Sequence, residues 1–261
     1  MDLGIKGRVA LVTASSRGLG RACAIALAKE GAKIAICARE KERLIQAEGE
    51  LKSLGATVYS AVTDLNKLGD IDHLVEGTRT ALGPIDILVA NTGGPPIGYF
   101  LSLSSQMWED AFRLLVEGVA HLARLVLPGM KERKWGRIVA IESTSVKQPI
   151  DGLVLSNSLR MAVVGMFKSI ALEAAASGVR VNVVCPGSMD TDAIQRVMQL
   201  GAQRDGVTME EARARLEKAI PAGRMGKPEE LADVVAFLAS ERASFVTGVT
   251  LPVDGGMIRG H

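Results

Sequence analysis

Thr13, Ala14, Ser15, Ser16, Arg17, Gly18, Leu19 and Gly20 form the stretch of this chain with the clearest chemistry. An apolar run, Val9 to Val12, precedes them and reads as a buried parallel strand. Good helix formers, Arg21 to Ala28, follow. Strand, Gly-rich turn and helix N-terminus in that order make an anion site. Free backbone N–H groups and the positive end of the helix dipole converge there. Gly18 and Gly20 let the backbone approach a pyrophosphate and let the helix pack on the sheet. In a strand–turn–helix unit this spacing points to a dinucleotide.

The next strand gives the flavour of that ligand. Lys33 to Ala38 is apolar apart from its first residue. A carboxylate at its end would accept hydrogen bonds from the adenosine 2′-hydroxyl of NAD. Ala38 stands there instead, and Arg39 follows, with Arg17 in the Gly-rich turn. Two guanidiniums suit a 2′-phosphate, which takes charge-assisted, often bidentate bonds. The expected cofactor is NADP ahead of NAD.

These residues need a frame, and the hydrophobic pattern supplies one. Strands fit near 8–13, 33–38, 57–61, 86–90, 136–141, 179–184 and 249–252. Helices fit near 18–30, 40–54, 67–82, 105–133, 153–177 and 228–240. The strand runs are short, apolar and rich in Val and Ile, as strands covered on both faces should be. Such alternation implies right-handed crossovers and a single-domain, Rossmann-type, doubly wound parallel α/β sheet of about seven strands, spanning 1–261. Ligands bind such sheets at the carboxyl ends of the strands. A long insertion, about 188–226, carries a helical pattern from Met209 to Ala219 and reads as a substrate lid.

Composition limits the function classes. The net charge is +2, there is no basic tract, and aromatic residues make up only 3% of the chain, so nucleic acid is not an expected partner. No apolar stretch reaches the roughly 18 residues of a membrane span, and the first residues do not read as a signal peptide. Cys23, Cys37 and Cys185 sit far apart in apolar segments and read as buried thiols of a reducing, cytoplasmic compartment. His73, His121 and His261 lack ligand spacing, so no metal is expected.

The ordered motifs resemble those of the short-chain dehydrogenase/reductase family over nearly all of residues 5–256. Thr13 to Gly20 are similar to its T-G-x-x-x-G-x-G turn, with Ala14 in place of the first glycine. Asp64 and Leu65 match the pair placed against the adenine. Ala90, Asn91, Thr92 and Gly93 match N-N-A-G. Cys185, Pro186, Gly187 and Thr191 match the stretch at the nicotinamide. Gly223 to Glu230 and Val253 to Gly256 match the C-terminal signature. The resemblance implies Asn91 and Gly93 along the adenosine ribose, and Met189 and Thr191 near the carboxamide.

The family's catalytic Asn, Ser, Tyr and Lys are mostly changed. Ser143 keeps the serine. Ser156 stands at the tyrosine position, Arg160 at the lysine position and Leu115 at the asparagine position. A tyrosine would exchange a proton with the carbonyl or alcohol while hydride moves. Serine is a weaker acid with a shorter reach. Arginine can bond the ribose and hold positive charge but does not readily give up a proton. Lys147 is the expected substitute acid, since a lysine desolvated in a cleft can exchange protons near neutral pH. Tyr99, after the fourth strand, is the second candidate. Glu142 and Asn157 flank the two serines and are expected to point away from them, because neighbouring residues alternate faces. His121 reads as a helix-interface residue.

Leu114, Leu115, Val119, Leu122, Leu125 and Val126 on one long helix, with Val163, Val164, Met166, Phe167 and Ile170 on another, predict subunit contacts. The resemblance implies a dimer through these helices and a tetramer through the C-terminal strand. The reading is a cytoplasmic, NADP-preferring oxidoreductase acting on a small or medium apolar carbonyl or alcohol, with an atypical site. The alternatives are a non-catalytic NADP-binding scaffold or sensor, and a non-redox enzyme on the same fold.

Overall fold

The computed structural model describes residues 2–260, the side chain of Leu200 excepted; His261 lies outside the described residues. Seven strands form one parallel sheet: β1 (Val9–Val12), β2 (Lys33–Ala38), β3 (Val58–Val62), β4 (Ile87–Asn91), β5 (Gly136–Ile141), β6 (Val179–Pro186) and β7 (Thr250–Val253). Their order is β3-β2-β1-β4-β5-β6-β7. The chain therefore reverses its direction of growth between β1 and β4, where a crevice opens at the carboxyl ends.

Two helical layers cover the sheet. Helices α1 (Gly18–Lys29), α2 (Lys41–Ser53) and α9 (Pro228–Leu238) lie on one face. Helices α3 (Leu68–Leu82), α5 (Gly118–Glu132) and α6 (Val154–Ala174) lie on the other. Strand periodicity divides the residues between these cores: Ala10 and Val12 pack with the first layer, Val9 and Leu11 with the second. The expected doubly wound sheet is present.

The expected helix over 105–133 is α4 (Ser105–Phe112), a π-helical turn Arg113–Glu117, and then α5. The π turn carries Leu114 and Leu115 past the end of β4. Gly118 follows it because a Cβ there would stand 2.6 Å from the Leu65 carbonyl oxygen. The insertion holds two helices, α7 (Asp192–Asp205) and α8 (Met209–Ala219). Only α8 is expected from the pattern; α7 is largely polar, and among its described side chains Met198 and Ala202 are buried, so its apolar periodicity is faint. Most of the apolar surface assigned above to subunit contacts is core: Leu115, Val119, Leu122, Val126, Val163 and Phe167 are fully buried within this chain.

Candidate active site

The Gly-rich turn is built by side chains that never reach a ligand. Thr13 Oγ1 donates to the Asn91 carbonyl at 2.7 Å and accepts from the Asn91 N–H at 2.9 Å. Ser15 Oγ donates to the Val12 carbonyl at 2.7 Å and accepts from the Cys37 N–H at 3.2 Å. Both residues are fully buried. They tie β1 to β4 and β2, which corrects their expected place against the cofactor. Asn91 Nδ2 donates to the Ala14 carbonyl at 3.2 Å, so this residue also shapes the turn. Gly20 is packing-critical, since a Cβ would meet that same carbonyl oxygen at 2.5 Å. Ala14 takes the family's glycine position with φ +46°, a left-handed conformation that costs an alanine about 1 kcal/mol.

The turn opens on a cavity of about 420 Å³ at the carboxyl ends of β1 to β4. Ser16, Arg17, Gly18, Leu19, Arg39, Asp64, Leu65, Asn91, Gly93 and Thr191 line it, as expected. Glu40 also faces it but is paired with Arg43 at 3.0 Å. Leu114 contributes an apolar wall from the π turn, and Arg196 of α7 a further guanidinium. Arg196 escapes sequence reasoning because α7 itself does. Pro186, Gly187 and Met189 do not line the cavity. The Gly187 N–H bonds the Val253 carbonyl at 3.0 Å, and the buried Met189 packs against Gly226. These residues tie the segment after β6 to the β7 end and to Gly226 through packing.

Behind Gly93 lies the second part of the site. Period-two alternation on β5 turns Ile138 and Ala140 toward α6, and it turns Glu142 the same way. Glu142, expected to point away from the two serines, makes no hydrogen bond to either but meets Arg160 of α6. Arg160 Nη1 donates to Glu142 Oε2 at 2.9 Å, with the two side chains 8% and 3% exposed. Arg160 Nε donates to Ser156 Oγ at 3.2 Å, one helical turn back, and Nη2 donates to the Gly93 carbonyl at 3.3 Å. Ser156 Oγ and Ser145 Oγ are 3.2 Å apart, and the Ser145 N–H donates to Ser143 Oγ at 3.1 Å. Hydrogen bonds thus run from the Ser145 hydroxyl through Ser156 and Arg160 to the cavity wall, and the Ser145 backbone N–H holds Ser143 beside them. Burial pushes the Glu142 carboxyl up to about 7, against the downward pull of Arg160.

The expected substitute acids lie elsewhere. Lys147 is exposed at the end of a 3₁₀ turn, Thr144–Val146, and is not enclosed in a cleft. Tyr99 is 58% exposed and donates to Asp151 Oδ2 at 2.8 Å. That carboxylate raises the phenol above its usual range, which makes it a poorer acid. Tyr99 instead helps tie the loop after β4 to the loop after β5, beside a Gly98–Leu153 bridge. Asn157 likewise holds the backbone of Ile150. Glu142 and Ser145 are the residues that sequence reasoning missed. An acid closing an apolar strand was the available signal, since burial of a lone charge demands a partner.

Sheet order, Gly-rich turn and serine-bearing strand end agree with one family model, described as Enoyl-(Acyl carrier protein) reductase, which matches residues 13–258. The chain belongs to the short-chain dehydrogenase/reductase family. It is similar to Dehydrogenase/reductase SDR family member 4 of Oryctolagus cuniculus, with 34% identity covering 97% of this chain and 94% of the relative. It is also similar to 3-oxoacyl-(acyl-carrier-protein) reductase FabG of Escherichia coli, 34% identical over 98% of this chain and 99% of the relative. The crystal structure of L-sorbose reductase from Gluconobacter frateurii, complexed with NADPH and L-sorbose, matches with a TM-score of 0.95. Its identity is 33%, over 100% of both chains. Family membership makes the protein an oxidoreductase of the short-chain type.

Among the described residues there is no cluster of metal-ligating side chains, and no helix is long and apolar enough to cross a membrane. His121 joins α5 to α3 through Asp72, its Nε2 at 2.7 Å from Oδ1.

Proposed function

We propose that this protein is an NADPH-dependent reductase of a small or medium apolar carbonyl compound, with Ser156 and Arg160 acting where the family has tyrosine and lysine. The observation that carries this reading is the run of hydrogen bonds from the Ser145 hydroxyl through Ser156 and Arg160 to the Gly93 carbonyl, with Ser143 held beside it. The reductase crystallised with NADPH and L-sorbose supports the cofactor, as does the character of the cavity. The carboxylate after β2, Glu40, is paired with Arg43, while Arg17 and Arg39 line the cavity. The turn from Ser16 to Leu19 would hold the pyrophosphate, Arg17 and Arg39 the 2′-phosphate, Asp64 and Leu65 the adenine. Asn91, Gly93 and Thr191 would follow the rest of the nucleotide. When bound, the nicotinamide supplies or accepts the hydride.

The chain's own residues handle the substrate oxygen. Ser143 Oγ already accepts from a backbone N–H, so its proton is available to orient a carbonyl. Ser156 Oγ accepts from a guanidinium, which stabilises the developing serine alkoxide and strengthens the hydroxyl as an acid. Ser156 donates its proton to the substrate alkoxide, and Arg160 keeps its own. Ser145 is the next hydroxyl in line to return a proton.

Exposed Ile97, Phe100, Leu101 and Ile150 on the two tied loops supply an apolar mouth, and 188–226 forms the lid. Exposed Phe112, Met161 and Leu172 on the α4 and α6 surface, with Phe245 and Leu251 near β7, fit a homotetramer. Three unpaired buried thiols fit the cytoplasm.

The test is NADPH oxidation across a panel of carbonyl compounds. Ser156→Ala should lower kcat by about 10²-fold or more with NADPH affinity unchanged. Full turnover in that variant would reject Ser156 as the donor. Tight NADPH binding with no turnover in the unmodified protein would identify a cofactor-binding scaffold or sensor.

A further inference from the structure

The cation at the lysine position does not stand alone. Glu142 and Arg160 form a sealed pair of opposite charges, on a strand end and a helix that both face the cofactor side of the sheet. Arg160 touches the cavity wall through the Gly93 carbonyl at 3.3 Å. An arginine so placed would otherwise present a full positive charge toward the nicotinamide end. Oxidation of the nicotinamide creates a positive charge in the same region. The reduced ring is neutral, so Arg160 discriminates between the two cofactor forms unless its charge is balanced.

We propose that Glu142 is a positioning residue that neutralises Arg160, so that the site holds the cationic, oxidised nicotinamide as readily as the neutral, reduced one. This rests on the reading that NADP binds in the cavity with its nicotinamide ribose at Arg160, the position of the family's lysine. Glu142 also fixes the guanidinium so that Nε meets Ser156. The groups facing the carboxyl are Arg160 from α6 and the Cys185 thiol from β6, with the Lys147 ammonium nearby on the loop after β5. Burial pushes the Cys185 thiol up to about 12, so it does not ionise in the working range. Burial likewise brings Glu142 to about 7. Below that value the carboxyl holds a proton and the Arg160 charge is uncovered; above it the pair is neutral. Oxidised cofactor should therefore bind less well, relative to reduced cofactor, as the pH falls through 7.

The experiment measures dissociation constants of the full-length protein for NADP⁺ and NADPH by calorimetry between about pH 6 and pH 8. In the unmodified protein the ratio of the two constants should move toward NADPH at the acid end. Glu142→Gln keeps the shape and removes the charge. Its ratio should favour NADPH at all these pH values, by on the order of tenfold relative to the unmodified protein at the alkaline end. A pair with only a structural role would weaken both nucleotides alike and leave the ratio in place. A second measurement needs no substitution: in weak buffer near pH 7, NADP⁺ binding should release more protons than NADPH binding. The 2′-phosphate, common to both, cancels in that difference. Equal proton release together with a pH-independent ratio would overturn the inference while leaving the cofactor reading intact. No binding of either nucleotide would overturn both.

Discussion

Strand β5 has a buried charge at each end, and the two ends solve the same problem differently. At its amino end the Arg137 side chain is 3% exposed. Its Nε donates to the Ser240 carbonyl at 3.0 Å, and Nη1 to the Gly136 and Gly178 carbonyls at 2.9 and 3.3 Å. Its guanidinium lies 4.5 Å from the Trp135 ring, which Arg8 also approaches at 3.8 Å. The acid in that cluster, Glu241, is 44% exposed and bonds Trp135 Nε1 at 2.6 Å. At the carboxyl end the acid is the sealed partner and the cation reaches outward. Neutral carbonyls and an open carboxylate fix the charge state of the amino end. The carboxyl end depends on one ion pair, so its charge state can change. The first arrangement suits a scaffold and the second suits chemistry.

Breaking each end separately should expose that contrast. Arg160→Leu strands the buried Glu142 carboxyl and should cost about 3 kcal/mol in urea unfolding at about pH 8. The folded-state value of Glu142 lies above that of an unfolded glutamate. Its contribution is therefore favourable at low pH and is lost as pH rises through the folded value. The loss in Arg160→Leu should shrink markedly at about pH 5.5, and equal losses at both pH values would remove Glu142 as the cause. Arg137→Met leaves three carbonyls short of a donor and should cost about 2 kcal/mol. That cost should be the same at both pH values, and nucleotide affinity should not change.

The remaining predictions sharpen the cofactor side. The unmodified protein should bind NADPH at least tenfold more tightly than NADH, about 1.4 kcal/mol, and Arg39→Asp should reverse the order. Equal affinities measured by titration would remove the 2′-phosphate argument. Ala14→Gly relieves a left-handed alanine and should raise stability by about 1 kcal/mol, read as an increase in Tm. A fall in Tm would mean that the turn gains more from the methyl group than it loses to strain.

The sheet was legible because most strands carry a short apolar run, such as Ile34 to Ala38 or Ile138 to Ile141, bounded by turn residues. Helix α7 was not, since its stability comes from a few buried residues and a Gly206 stop at φ +66°, not from an apolar stripe. Within the site, spacing placed Ser143, Ser156 and Arg160 in register because strand ends and helix turns repeat regularly. It did not show which neighbours meet across the gap between β5 and α6. That contact pairs Glu142 with Arg160 and turns a flanking acid into part of the site. Lys147 and Tyr99 stand exposed, outside the expected cleft, for a related reason: position along the chain says a loop is near the cleft, but not whether its side chains enter it.

The segment containing α7 and α8 begins and ends at one small clasp. The Asp190 N–H bonds the Gly226 carbonyl at 2.8 Å, and the Gly226 N–H bonds the Ser188 carbonyl at 3.0 Å. The stretch between these residues starts and ends at this stem, while its Thr191 and Arg196 line the cavity and its Ala222 N–H bonds the Gly255 carbonyl at 3.0 Å. Such a stem makes the enclosed stretch an exchangeable cassette. Its length and sequence can drift, or be swapped between relatives, while the sheet beneath keeps its register. New specificities on this scaffold are then reached by replacing the part of that block beyond Arg196, which leaves the lining of the crevice in place.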